Sequence, residues 1–188
     1  IDLGLVDELI EFEKLSMLDV VLVSIPVDKS LIVLPKVLDL VNRETLVFDV
    51  GSTKNPICKV LANHPKRGNF LPVHPMAGTE FSGPNAAVKG LYINKTNIIC
   101  EMEKTDREIY KIALKIFTKL NMNIIHMDTK SHDMHVAYVS HLSHISSFML
   151  GKTVIEKEKN QKNIFDLAGS GFESTAVSYT HLTLPTML

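Results

Sequence analysis

The residues best suited to chemistry are His74-Pro75-Met76-Ala77-Gly78-Thr79-Glu80, followed by Ser82-Gly83. The apolar run Phe70-Leu71-Pro72-Val73 precedes them and reads as a strand, so the imidazole is expected just past its end. In an open α/β sheet, ligands bind beyond the carboxyl ends of the strands. A histidine there, a carboxylate six residues on and glycines that let backbone approach a ligand together suggest proton transfer. A loop histidine capping a turn is the plainer alternative.

Asp49-Val50-Gly51-Ser52-Thr53-Lys54 follows a second apolar run and places Ser52 at the same sheet edge. Ser52 either donates to a ligand hydroxyl, orients the histidine, or caps the next helix. Lys54 is read as a solvated lysine, with contact to an anion as the alternative. Ser24-Ile25-Pro26 ends the first strand; in a dinucleotide fold such a turn lines the cofactor, and otherwise it simply terminates the strand. A later segment carries His132, Asp133, His135, His141 and His144. Ala137, His141, His144 and Phe148 share one helical stripe. No HExxH spacing occurs, so His144 reads as a partner for an acidic substrate, or as a core histidine, before it reads as a metal ligand. No metal is expected. Gly169-Ser170-Gly171 is a second glycine turn, either a carboxylate cradle or a plain loop.

Elements must position these groups. The chain has 188 residues, 45% hydrophobic and 22% charged, which is ordinary globular composition. A net charge of −1 gives no general attraction to nucleic acid or anionic membrane. Cys58 and Cys100 are too few for a disulfide framework, and a reducing, cytoplasmic setting is expected. No apolar run reaches the roughly 18 residues that span a bilayer. Ile1 stands where an initiator methionine is expected, so the sequence reads as beginning inside a longer protein.

Val20–Ile25, Thr45–Val50 and Asn69–Val73 read as strands, with helices over Asp28–Val41 and from Asn55-Pro56 to Ala62 between them. The first strand is expected to be buried on both faces, and Pro35 to kink or shift the first helix. This alternation predicts right-handed βαβ crossovers and a parallel sheet. Further strands are expected over Asn97–Cys100 and Asn123–Met127, with a helix over Asp106–Leu120. From Ser131 to about Lys159 one long helix is expected, with a weak point at Gly151. The fold class is therefore α/β: a parallel-sheet domain over 1–128, then the start of an all-helical domain over 129–176.

Together these segments resemble the prephenate dehydrogenase family, which includes the arogenate and cyclohexadienyl dehydrogenases. The resemblance rests on Asp49–Lys54, His74–Gly83, His132-Asp133, Val139-Ser140-His141-Leu142-Ser143-His144 and Ala168–Ala176, in order and at matching spacing. It implies that the domain over 1–128 is an incomplete Rossmann-like domain. It also implies NAD- or NADP-dependent oxidative decarboxylation of prephenate or arogenate, and a homodimeric parent protein. It assigns His74 as the group that takes the substrate hydroxyl proton and Ser52 as its support near the nicotinamide. Thr79, Glu80 and His144 become substrate-pocket residues, and Ser24, Ile25 and Pro26 cofactor contacts.

Two departures stand out. The Gly-x-Gly-x-x-Gly turn that would seat the pyrophosphate is absent, so the first βαβ unit is read as missing, and with it the residue that separates NAD from NADP. Val177 stands where the family has a carboxylate-binding arginine, and a valine offers no bidentate fork. Residues 177–188 read as a non-native tail, and the chain as an impaired fragment. Alternatives are a β-hydroxyacid-type dehydrogenase, disfavoured because no lysine stands on the helix between 131 and 151; a His-rich metal-dependent hydrolase; and a non-catalytic binding remnant.

Overall fold

The computed structural model describes residues 3–78, 83–158 and Phe172. Five strands form one sheet in the order β1 (Val20–Val23), β2 (Leu46–Asp49), β3 (Phe70–Pro75), β4 (Thr96–Cys100), β5 (Asn123–Met127). Helices α1 (Val27–Leu40), α2 (Asn55–Leu61) and α3 (Arg107–Lys119) connect them. α4 (Thr129–Val136), a π-helical turn (Ala137–His141) and α5 (Leu142–Glu158) follow. The fold is α/β, a mostly parallel Rossmann-like sheet followed by a helical region.

Period-two alternation in the strands sends side chains to two cores. Val21, Val23, Val47 and Phe70 face α1 and α2, meeting Leu34, Val37, Leu38, Ile57 and Leu61. Leu46, Phe48, Leu71, Val73 and Ile99 face the other way, against Ile109, Ala113 and Phe117 of α3. Phe48 and Phe117 meet edge to face with centroids 5.7 Å apart. With helices on both faces, β2 is buried throughout, which is why it reads as an uninterrupted apolar run. Each such core side chain is worth roughly 1.5–3 kcal/mol of transfer free energy.

Pro35 lies inside α1, as expected. Three expectations change. β1 is the edge strand among the described residues and is not buried on both faces: Val21 and Val23 are buried but Leu22 is 52% exposed. β4 runs antiparallel to β3, pairing Val73 with Ile99 and Pro75 with Asn97, while every other pair is parallel. A parallel return needs a crossover, usually a helix, to carry the chain back to the strand's start. Between β3 and β4 the described residues hold only the short 3₁₀ turn Pro84–Ala86. The link therefore leaves and re-enters the sheet at the same edge. Finally, the helical irregularity lies at the π turn, whereas Gly151 is buried within regular helix.

Among the described residues, Gly83–Met134 joins the segment ending at Gly78 in one compact unit, and residues from His135 onward belong to a second. The residues described in detail below lie in the first unit unless stated otherwise.

Candidate active site

The carboxyl ends of β1, β2 and β3 lie side by side, in register Val23 with Asp49 and Asp49 with Pro72. Ser24, Ile25 and Pro26 leave β1 exposed, and Ser52 leaves β2 exposed. His74 is the penultimate residue of β3, inside the strand rather than past it, and is half-buried. The sheet edge thus gathers Ser24, Ile25, Pro26, Ser52 and His74. Thr79 and Glu80 lie outside the described residues, as do the second glycine turn at 169–171 and residues 177–188. His144 lies on α5 in the second unit and is exposed.

The β2–α2 turn is held from within. A Cβ on Gly51 would meet Val27 Cγ2 at 3.0 Å and Asp49 Oδ2 at 3.1 Å, so glycine suits that close approach. Lys54 is the reverse of a solvated lysine: it is fully buried. Its Nζ donates to Asp49 Oδ2 at 2.5 Å and to the Val73 carbonyl at 2.7 Å. A buried ammonium needs a paired charge and further acceptors, and here it has both. Burial pushes the Asp49 carboxyl upward, against the pull of the Lys54 ammonium. This pair ties the end of β2 to the backbone immediately before His74.

Sequence reasoning treated His132 and Asp133 as separate from His74; the fold joins them. His132 is fully buried, and its Nε2 lies 3.0 Å from His74 Nδ1. The two rings meet edge to face at 5.1 Å with an interplanar angle of 67°. On its far side His132 Nδ1 lies 2.7 Å from Asp133 Oδ1. Asp133 in turn accepts the backbone N–H of Lys54 at 2.7 Å and of Asn55 at 2.9 Å. These are amides at the start of α2, which an intrahelical ladder cannot satisfy, so a distant carboxylate caps the helix. A line of hydrogen bonds therefore runs from α2 through Asp133 and His132 to His74. A His-Asp pair opening a helix, after a strand-end histidine, was the available signal.

Charge states follow from these surroundings. Burial pushes the His132 imidazole below its ordinary value, against the upward pull of Asp133. Burial would raise the Asp133 carboxyl, but the Lys54 amide, His132 and the Asn55 amide outweigh it and hold the group below the usual carboxylate range. Burial also raises both thiols, Cys100 to about 12, which leaves them inert. Among the described residues no three His, Cys, Asp or Glu side chains gather as metal ligands would. No described helix is long and apolar enough to cross a membrane.

A half-buried imidazole braced through a second imidazole to a carboxylate is suited to taking a proton at the sheet edge. Exposed serine and apolar groups on neighbouring parallel strand ends fit a nucleotide-type ligand there.

Comparison with known proteins identifies the family of the chain. Residues 1–126 match the prephenate dehydrogenase nucleotide-binding domain, and residues 128–180 the prephenate dehydrogenase dimerization domain. The chain is 29% identical over 161 residues to a prephenate dehydrogenase of Bacillus subtilis (strain 168), covering 81% of this chain and 42% of that protein. It is 30% identical over 174 residues to that of Lactococcus lactis subsp. cremoris (strain MG1363), covering 90% and 47%. The chain thus spans just under half the length of each. A crystal structure of prephenate dehydrogenase from A. aeolicus, in complex with hydroxyphenyl propionate and NAD+, superposes with a TM-score of 0.84 at 29% identity, covering 94% of this chain and 63% of that one. With both domain descriptions matched in order along the sequence, the chain belongs to the prephenate dehydrogenase family.

Proposed function

We propose that this chain belongs to a dehydrogenase that oxidatively decarboxylates prephenate or arogenate with NAD or NADP, in tyrosine biosynthesis in the cytoplasm, as a homodimer. The nicotinamide, when bound, supplies the hydride acceptor. The chain's own residues do the rest. His74 takes the ring hydroxyl proton as the carbinol carbon becomes a carbonyl, and Ser52 on the neighbouring strand end supports that hydroxyl. Loss of carbon dioxide restores aromaticity, so positioning and proton removal are the protein's main tasks. Ser24, Ile25 and Pro26 line the cofactor side, while Thr79, Glu80 and His144 serve the substrate.

The observation that carries this reading is the bond between His74 Nδ1 and His132 Nε2, at the end of a strand whose neighbour presents Ser52. The family's named substrate and the NAD+ bound in the A. aeolicus protein support it. The β-hydroxyacid alternative lacks its lysine, and the buried Lys54 is already committed to Asp49 and Val73. The test is an assay of a full-length form containing this segment, given prephenate or arogenate with each nicotinamide. Reduced cofactor and 4-hydroxyphenylpyruvate or tyrosine should appear together. Reduction with simple β-hydroxyacids alone would overturn the reading.

A further inference from the structure

His74 by itself has two neutral tautomers, and only the one protonated at Nδ1 leaves a lone pair on Nε2. The neighbouring groups select between them. A carboxylate only accepts hydrogen bonds, and Asp133 already accepts two backbone N–H groups. The 2.7 Å contact between Asp133 Oδ1 and His132 Nδ1 therefore requires the His132 proton on Nδ1. His132 is fully buried, and burial favours its neutral form, so its Nε2 carries no proton and must accept. Among the described residues, the donor placed to meet it is His74 Nδ1, at 3.0 Å. Each assignment forces the next, from the amides of α2 to the ring of His74.

We propose that Asp133 and His132 are positioning residues that lock His74 as its Nδ1–H tautomer, making Nε2 the atom that takes the substrate proton. Proton balance is simple. The hydroxyl proton passes to His74 Nε2, and the imidazolium so formed still donates from Nδ1 to His132. The negative charge of Asp133 at the end of the line stabilises that cation without accepting the proton. A carboxylate orients a catalytic histidine in the same way in hydrolase triads, but here a second imidazole is interposed. This lengthens the reach of one carboxylate from the start of α2 to β3. The inference rests on the dehydrogenase reading for the identity of the proton donor; the tautomer is a property of the fold.

The test is long-range 1H–15N correlation on the 188-residue chain labelled at histidine, near neutral pH, with His74→Asn used to assign the His74 signals. His74 and His132 should both show a protonated Nδ1 and an unprotonated Nε2. His132→Gln, whose amide oxygen still accepts, should preserve the His74 pattern. His132→Leu should shift the His74 tautomer ratio several-fold toward Nε2–H. A wild-type His74 protonated mainly at Nε2 overturns the proposal, as does an unchanged ratio in folded His132→Leu. If His132→Leu does not fold, the wild-type and His132→Gln spectra decide. Failure of the full-length form to oxidise prephenate or arogenate would sink the functional reading and leave these spectra unaffected. The wrong tautomer alongside normal turnover would sink this inference alone.

Discussion

Asp133, at the start of a helix, places its carboxylate 2.7 Å from the amide nitrogen of Lys54, 79 residues away in sequence. The same Oδ1 faces His132 Nδ1. One side chain therefore serves as a helix cap and as the anchor of the imidazole line that ends at His74.

Asp133→Ala should unfold more readily. It strands the Lys54 and Asn55 amides and removes the partner of His132. Orphaned polar groups of this kind cost about 1–3 kcal/mol. Urea unfolding should show a lower midpoint at unchanged slope; an unchanged midpoint would remove the cap from the account.

Stability should rise with pH across two windows. His132 has a folded pKa below its unfolded value of about 6.5. Between those two values the unfolded chain holds more protons, so stability falls as pH drops below about 6.5. Asp133 is also depressed, so its contribution is present above about 3.9 and is lost as pH falls through the folded value. Thermal melts across this range should show both losses, and His132→Gln should flatten the upper one. A midpoint independent of pH from 7 to about 5 would contradict the assignment of His132 as buried and neutral.

Lys54→Met should be among the most damaging single changes. It leaves Asp49 buried without its cation, and breaking such a pair costs about 3–5 kcal/mol. Adding Asp49→Leu should recover part of the loss, because no uncompensated charge remains. Denaturant melts of the two singles and the double variant measure this coupling; strict additivity would argue against it.

In a full-length form, His74→Asn should lower kcat by roughly 10²–10⁴-fold, the scale of a general base. KM should change far less. Steady-state kinetics with saturating cofactor decide it, and an unaltered kcat would take His74 out of the chemistry.

Cys58 and Cys100 should resist thiol reagents in the native chain and react together on unfolding, since both are buried with raised pKa values. Rapid modification of either thiol without denaturant would indicate local opening of its strand or helix.

Much of this arrangement could be read from residues alone. The pattern at Asn123–Met127 marks β5 to the residue, and Asn55-Pro56 marks the start of α2. Local chemistry sets such features: β-branched runs for strands, and a proline that tolerates a helix's first turn. Ser52 and His74 were placed at one sheet edge because strand order and crossover handedness carry that information. The direction of β4 was hidden because a strand's own residues do not encode its polarity; that depends on where the preceding link releases the chain. Lys54 looked solvated because its partners are Asp49 and a carbonyl on another strand. The alliance of His74 with His132 spans 58 positions and appears only once α4 is laid against the sheet.

The double duty of Asp133 has an evolutionary corollary. A population screened only for foldedness, with no demand for turnover, should still retain an acid at this site, because the cap is lost with the steering group. Ser52 carries no such insurance, whereas His74 shares in it through its bond to the buried His132. In lineages released from catalytic selection Ser52 should drift first, leaving the scaffold's signature visible after the activity has gone.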